Sequence, residues 1–203
     1  MPSRGLLVAI EGIDAAGKRT QSSLLEAWLH SKKVTVEMIS FPEYSTAIGG
    51  EIRAFLLGTK NYPPEVRHML FAANRWERKR AIEDRLERRE VVVVNRYSES
   101  NLAYGVANGL PLDWLINLEA GLPKADLVLV LDAPASAFYN RRGTKKDRYE
   151  NDAGLQERTR KAYLELGAKF GWETINAASG IQETSQLVTD AVSRLLGSKG
   201  RAV

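Results

Sequence analysis

Glu11-Gly12-Ile13-Asp14-Ala15-Ala16-Gly17-Lys18-Arg19-Thr20 decides the fold. It follows the apolar run Leu6-Leu7-Val8-Ala9-Ile10 and opens a helical pattern at Lys18, so it reads as strand, glycine-rich turn, helix. The spacing G-x-x-x-x-G-K over Gly12, Gly17 and Lys18 suits a loop whose main-chain N–H groups and helix N-terminus surround phosphates. The lysine then reaches toward the terminal phosphate. A plain glycine-rich turn gives Lys18 no reason to be there. One position departs from the pattern: Arg19 stands where Ser or Thr usually offers a hydroxyl to Mg²⁺. Thr20 comes next, but one helical step turns a side chain by about 100°, so it does not simply take over the ligand position. The metal is then held by other groups or sits mainly on the nucleotide phosphates.

Outward from that loop, apolar strands alternate with helical stretches, the mark of a parallel sheet covered on both faces. Strands are expected at Leu6–Glu11, Val34–Ile39, Val91–Asn95, Leu127–Asp132 and Trp172–Asn176. Helices are expected to start near Lys18, Ile48, Val66, Leu112, Ala135, Ala153 and Ile181. The Arg78–Arg89 stretch holds i,i+4 charge pairs such as Arg80–Asp84 and reads as a solvated helix face. Residues 1–203 form one expected domain, with no repeat and no linker, and the tail from Gly197 is expected to fray.

Ligands of open parallel sheets bind beyond the carboxyl ends of the strands. Charged, aromatic or hydrogen-bonding groups follow every expected strand: the glycine-rich loop, Phe41-Pro42-Glu43-Tyr44, Asn95-Arg96-Tyr97, Asp132-Ala133-Pro134 and Asn176-Ala177-Ala178-Ser179. That is the layout of a site rather than of a scaffold edge.

Composition narrows the function classes. The absence of cysteine excludes disulfides, zinc-thiolate sites and thiol catalysis. No run approaches the roughly 18 apolar residues of a membrane span, and the first strand starts within a few residues of Met1, so no signal peptide and a cytoplasmic location are expected. The formal net charge of +4 fits a cleft for polyanionic substrates. The basic residues converge on strand ends and one segment rather than on a stripe, so no nucleic-acid partner is expected.

Several further motifs occur in order: Phe41-Pro42, Leu70-Phe71-Ala72-Ala73-Asn74-Arg75-Trp76-Glu77, Arg96-Tyr97 with Ser100-Asn101-Leu102-Ala103-Tyr104, Gly121-Leu122-Pro123-Lys124-Ala125-Asp126, and Asp147-Arg148-Tyr149-Glu150. With the glycine-rich loop they span roughly Gly5 to Leu195, and the chain resembles the thymidylate kinase family. The resemblance implies an α/β, P-loop NTPase-type three-layer sandwich with a central five-stranded parallel sheet flanked by helices. It implies phosphorylation of dTMP to dTDP by ATP with Mg²⁺, by direct in-line transfer, and a homodimer.

The resemblance also implies residue roles. Gly12, Ile13, Ala15, Ala16, Gly17, Lys18, Arg19 and Thr20 would surround the ATP phosphates, with Ala177 on the adenine side. Arg96 would hold the acceptor monophosphate, a task that suits a bidentate guanidinium. Asp14 matches the loop carboxylate near the acceptor 3′-hydroxyl and the metal's water shell; capping of the helix is its plainer reading. Phe71 would stack on thymine, Arg75 would bond a thymine carbonyl, Asn101 would read the remaining base edge, and Tyr104 would crowd the ribose 2′ side. Phe41, Pro42, Ser100 and Tyr149 would complete the dTMP site. Outside the motif, an aromatic such as Phe71 is more often core.

Residues 141–150 would form a basic lid. One family branch places an arginine directly after the loop aspartate, where this chain has Ala15; the other takes its transition-state arginine from the lid. Arg148 is the first candidate and Lys146 the second, among Arg141, Arg142 and Lys145. Arg141 or Arg142 could also stack on adenine.

The chain departs from the family pattern at Arg19, at Tyr44, where many members have an arginine, and at Asn95, where Asp is usual. Asn95 keeps the shape of Asp and removes its charge, which predicts weaker metal affinity or slower turnover. The rival readings are a kinase of another pyrimidine nucleotide or nucleoside, such as dUMP or UMP, and a non-catalytic nucleotide-binding protein.

Overall fold

The computed structural model describes residues 4–134 and 147–200. Its five strands are β1 Leu6–Glu11, β2 Val36–Ser40, β3 Val91–Asn95, β4 Leu127–Asp132 and β5 Glu173–Asn176. They form one parallel sheet in the order β2-β3-β1-β4-β5. Residue chemistry accounts for that order. The strands β1 and β3, LLVAIE and VVVVN, lie inside the sheet and are almost wholly buried, as strands covered on both faces must be. The strands β2 and β5 carry Glu37, Glu173 and Thr174 and take the edges.

The described helices are α1 Lys18–Ser31, α2 Ala47–Leu56, α3 Pro64–Trp76, α4 Lys79–Glu87, α5 Ser98–Ala107, α6 Leu112–Glu119, α7 Arg148–Asn151, α8 Ala153–Phe170 and α9 Ile181–Ser198. The α1 and α9 helices pack on each other and on the sheet. A second group gathers around α5, which meets α3, α6 and α8. Parallel strands need such crossovers, and they leave the strands' carboxyl ends open at one edge of the sheet.

The expected strands hold, with two shifted starts and one shifted end, β2 running to Ser40 rather than Ile39. Val34 N donates to Leu29 O, finishing α1, so β2 begins at Val36. Trp172 N likewise donates to Gly167 O, finishing α8, so β5 begins at Glu173. Pro64 starts α3 two residues before the expected Val66, and proline is pre-organised for a first helical position. The α5 helix was not among the expected helices. Six successive residues, Ser100 to Gly105, are buried on it, polar and apolar alike, so no one-sided apolar period marks it. The helix expected near Ala135 lies outside the described residues. No described helix is long and apolar enough to cross a membrane.

Candidate active site

The glycine-rich loop folds as its sequence requires. Gly12 has φ 133°, and a Cβ there would stand 2.5 Å from Leu131 O, so only glycine fits. Gly17 has φ 91° and precedes α1 with no side-chain cap, which leaves the first-turn N–H groups to the loop's interior. Lys18 Nζ reaches back across the loop to Gly12 O at 3.1 Å and Ile13 O at 2.7 Å. Burial, with Arg96 as a second cation nearby, pushes the Lys18 ammonium down to about 7. A phosphate in the loop would reverse that penalty by supplying negative charge.

Arg96 follows β3 in a left-handed conformation, φ 62°, and its N–H donates to Ile10 O at 3.1 Å. A non-glycine residue held at positive φ is uncommon and recurs where function demands a fixed direction. Its guanidinium pairs with Asp14, donates to Gly12 O at 3.2 Å and lies 5.3 Å from the Tyr104 ring centroid. Asp14 also accepts from Tyr104 OH at 3.0 Å and Gln156 Nε2 at 2.8 Å. Burial opposes its ionisation, but Arg96, Lys18 and these hydrogen bonds outweigh it and hold the carboxyl below its ordinary range.

Two cavities of about 380 Å³ each open at the strand ends. Asp14, Arg96 and Phe41 line both. Ala15, Ala16, Gly17, Lys18, Arg19, Thr20, Asn95 and Ala177 line the first, on the loop side, which puts six of the eight expected phosphate residues around one space, Gly12 and Ile13 not lining it. Ala177 is held there by its N–H to Asp132 O at 2.7 Å. Gly12 and Ile13 contribute the carbonyls that Lys18 spans.

The second cavity gathers every residue expected around the acceptor: Phe41, Pro42, Phe71, Arg75, Ser100, Asn101, Tyr104 and Tyr149. Tyr149 stacks on Tyr104 with centroids 5.4 Å apart and planes at 10°. Phe71 stands 6.3 Å from Tyr149 and 6.0 Å from His68, so it belongs to the wall rather than to the deep core. Arg75 is buried and gives Nε to Glu119 Oε2 at 2.9 Å, with a second bond from its Nη2 to Oε1. Ser100 Oγ donates to Glu11 Oε2 at 2.5 Å, and Tyr163 OH donates to the same oxygen at 2.7 Å.

Tyr44 also lines this cavity and is partly exposed. Arg148 lines neither cavity: its guanidinium bonds Asn61 at 2.8 Å and covers the Phe55 ring. Residues 141, 142, 145 and 146 of the expected lid lie outside the described residues.

The sequence assigns no role to Gln156, His68, Glu119, Glu11 or Tyr163, although Glu11 opens the glycine-rich motif. Gln156 is buried and clamps Asp14 twice, accepting from its N–H at 3.0 Å while donating to its carboxylate. Its signal was present: a glutamine on the inner face of α8 has no reason to be buried without a polar partner. The Arg75–Glu119 pair spans 44 residues and left no local signal.

Asn95 Oδ1 is buried and has no hydrogen-bond partner, and Asn95 lines the loop-side cavity. It is therefore an available hard oxygen for Mg²⁺. The Asp14 oxygens are both engaged. Among the described residues no group of three acidic, histidine or cysteine side chains is placed to hold a metal.

The sequence profile described as thymidylate kinase matches residues 10–188. The human thymidylate kinase is 36% identical over 182 residues, covering 88% of this chain and 85% of the human protein. The zebrafish (Danio rerio) thymidylate kinase is 35% identical over 92% of this chain and 89% of its own. Among solved structures, the thymidylate kinase of Candida albicans superposes with a TM-score of 0.85 at 28% identity, covering 98% of this chain and 95% of that one. That structure was described as revealing the origin of broad substrate specificity and a novel structural element. The chain belongs to the thymidylate kinase family.

Proposed function

We propose that this protein transfers the γ-phosphoryl group of ATP to dTMP, forming dTDP and ADP. The observation that carries the reading is the meeting of two cavities at Arg96 and Asp14. Phosphoryl transfer needs two polyanions close and in line, with the charge between them neutralised. ATP phosphates occupy the loop-side cavity against Lys18 and the α1 N-terminus. The dTMP phosphate lies against Arg96, and its base enters between Phe71 and the Arg75–Asn101 wall. An acceptor phosphate oxygen attacks the γ-phosphorus; that P–O bond forms as the bond to the β-phosphate bridge breaks, and the electron pair leaves with ADP.

Asp14, held by Gln156, keeps Arg96 aimed at the junction and offers the one remaining lone pair, on Oδ1, to a sugar hydroxyl. Tyr104 stands beside it and narrows the ribose space. Asn95 Oδ1 is the protein oxygen that would hold a Mg²⁺ ion, and such an ion would supply charge neutralisation there. The basic lid supplies the remaining positive charge, from Arg148 once it leaves Phe55 or from Lys146. The working unit is a homodimer in the cytoplasm.

ATP with a chiral γ-thiophosphoryl group tests the mechanism. Formation of thio-dTDP with inversion at phosphorus is expected. Retention would replace direct transfer with a covalent intermediate, and no product from dTMP would overturn the reading.

A further inference from the structure

We infer that His68 and Glu119 are positioning residues that fix which way round the Asn101 amide stands, and that this orientation makes the acceptor site reject cytosine. The inference deepens the proposed function and rests on a pyrimidine nucleotide entering this cavity. Asn101 Nδ2 donates to Glu119 Oε1 at 2.6 Å and to His68 O at 3.2 Å. A carboxylate and a carbonyl only accept, so both amide hydrogens are consumed and the amide cannot turn over. Asn101 Oδ1 faces His68 Nδ1 at 2.7 Å. That oxygen cannot donate, so the proton is on Nδ1. The other ring nitrogen, Nε2, is then bare, and it faces the Asn108 amide nitrogen at 3.3 Å. Burial pushes the His68 imidazole down to about 4, which keeps the ring in this neutral form.

One capacity of Asn101 remains for a ligand: the second lone pair of Oδ1. Arg75 spends Nε and one Nη2 hydrogen on Glu119, which leaves the rest of its guanidinium as donors. Both residues line the acceptor cavity. The wall therefore offers a donor and an acceptor. Thymine and uracil present the complement, a carbonyl at C4 beside N3–H. Cytosine presents the inverse, an amino group beside a bare N3. Cytosine would set donor against donor and acceptor against acceptor, and buried polar groups left unpaired are a strong basis for rejection.

The plainer role for His68 and Glu119 is to tie α3, α5 and α6 together. Two measurements separate the roles. The chain has 2 histidines, and His30 is exposed on α1, so nitrogen NMR of the labelled, substrate-free protein can assign each ring. His68 is expected neutral, with Nδ1 protonated and Nε2 bare, between about pH 6 and 8. The opposite tautomer or a charged ring would overturn the inference without reference to any activity.

The second measurement is kcat/KM for dTMP and dCMP in the wild type, His68→Leu and His68→Gln. The dTMP-to-dCMP ratio is expected to fall by about tenfold or more in His68→Leu. His68→Gln, whose Nε2 can donate to Asn101 Oδ1, should restore most of it. If His68→Leu does not fold, Asn101→Ala should show the same compression. Equal losses for both substrates, with the ratio unchanged, would overturn the positioning role alone. An enzyme inactive on dTMP would overturn the cytosine claim together with the function beneath it.

Discussion

The two cavities are built by different means. On the acceptor side, four polar side chains that line the space are held from behind by another: Arg75 by Glu119, Asn101 by His68 and Glu119, Asp14 by Gln156, Ser100 by Glu11. On the donor side, the loop relies on backbone geometry, one lysine and a helix N-terminus, and Arg19 and Thr20 stand exposed. The difference follows from what each side must tell apart. A triphosphate is recognised by charge, which main-chain N–H groups supply without regard to sequence. A base edge is recognised by the direction of single hydrogen bonds, which requires side chains that cannot rotate.

The contrast can be broken at Glu119. Glu119→Ala leaves the Arg75 guanidinium buried without its counter-charge, and such losses cost about 3–5 kcal/mol. Urea unfolding should show that drop. A cost under about 1 kcal/mol, the range of a surface pair, would mean that the acceptor wall is not pre-organised as described.

At the junction of the cavities, Arg96→Met should lower kcat/KM for dTMP by about 10²–10³-fold while leaving ATP binding nearly intact. An equal loss of ATP affinity would place Arg96 on the donor side instead.

The pH dependence of stability sharpens the comparison further. The His68 imidazole sits at about 4 in the fold against 6.5 when unperturbed. Between those values the unfolded chain binds the extra proton, so stability is lost as pH falls from about 6.5 toward 4. At 1.36 kcal/mol per unit the full loss is about 3 kcal/mol. His68→Gln should flatten that part of the profile, and an unchanged slope would remove His68 from the account.

The smallest effect belongs to the donor side. Asn95→Asp should raise the rate a few-fold at limiting Mg²⁺ and change little at saturating Mg²⁺. A rate unchanged or lower across the titration would show that Asn95 Oδ1 does not serve the metal.

The same contrast explains how much was legible beforehand. The loop, the five strands and the gathering of strand-end residues follow from local patterns: glycine spacing, apolar runs and their breaks. Phe71, Arg75, Asn101 and Tyr104 came from motif order, and the fold places them around one cavity. Their supports were hidden because those contacts cross large separations, such as Asp14 to Gln156 and Arg75 to Glu119. The α5 helix was hidden for a related reason, since Ser100 through Gly105 are all buried, polar and apolar alike, and leave no one-sided apolar stripe. Arg148 shows the remaining gap. Its charge and place in the chain suggested the reaction centre, whereas its guanidinium rests on Phe55 and Asn61.

The most direct test offers ATP and Mg²⁺ with dTMP, dUMP, UMP, dCMP or AMP in separate reactions and measures the diphosphate formed. The account predicts product from dTMP well above the others and little from dCMP. Product mainly from dCMP or AMP, or none from any acceptor while ATP still binds, would contradict it.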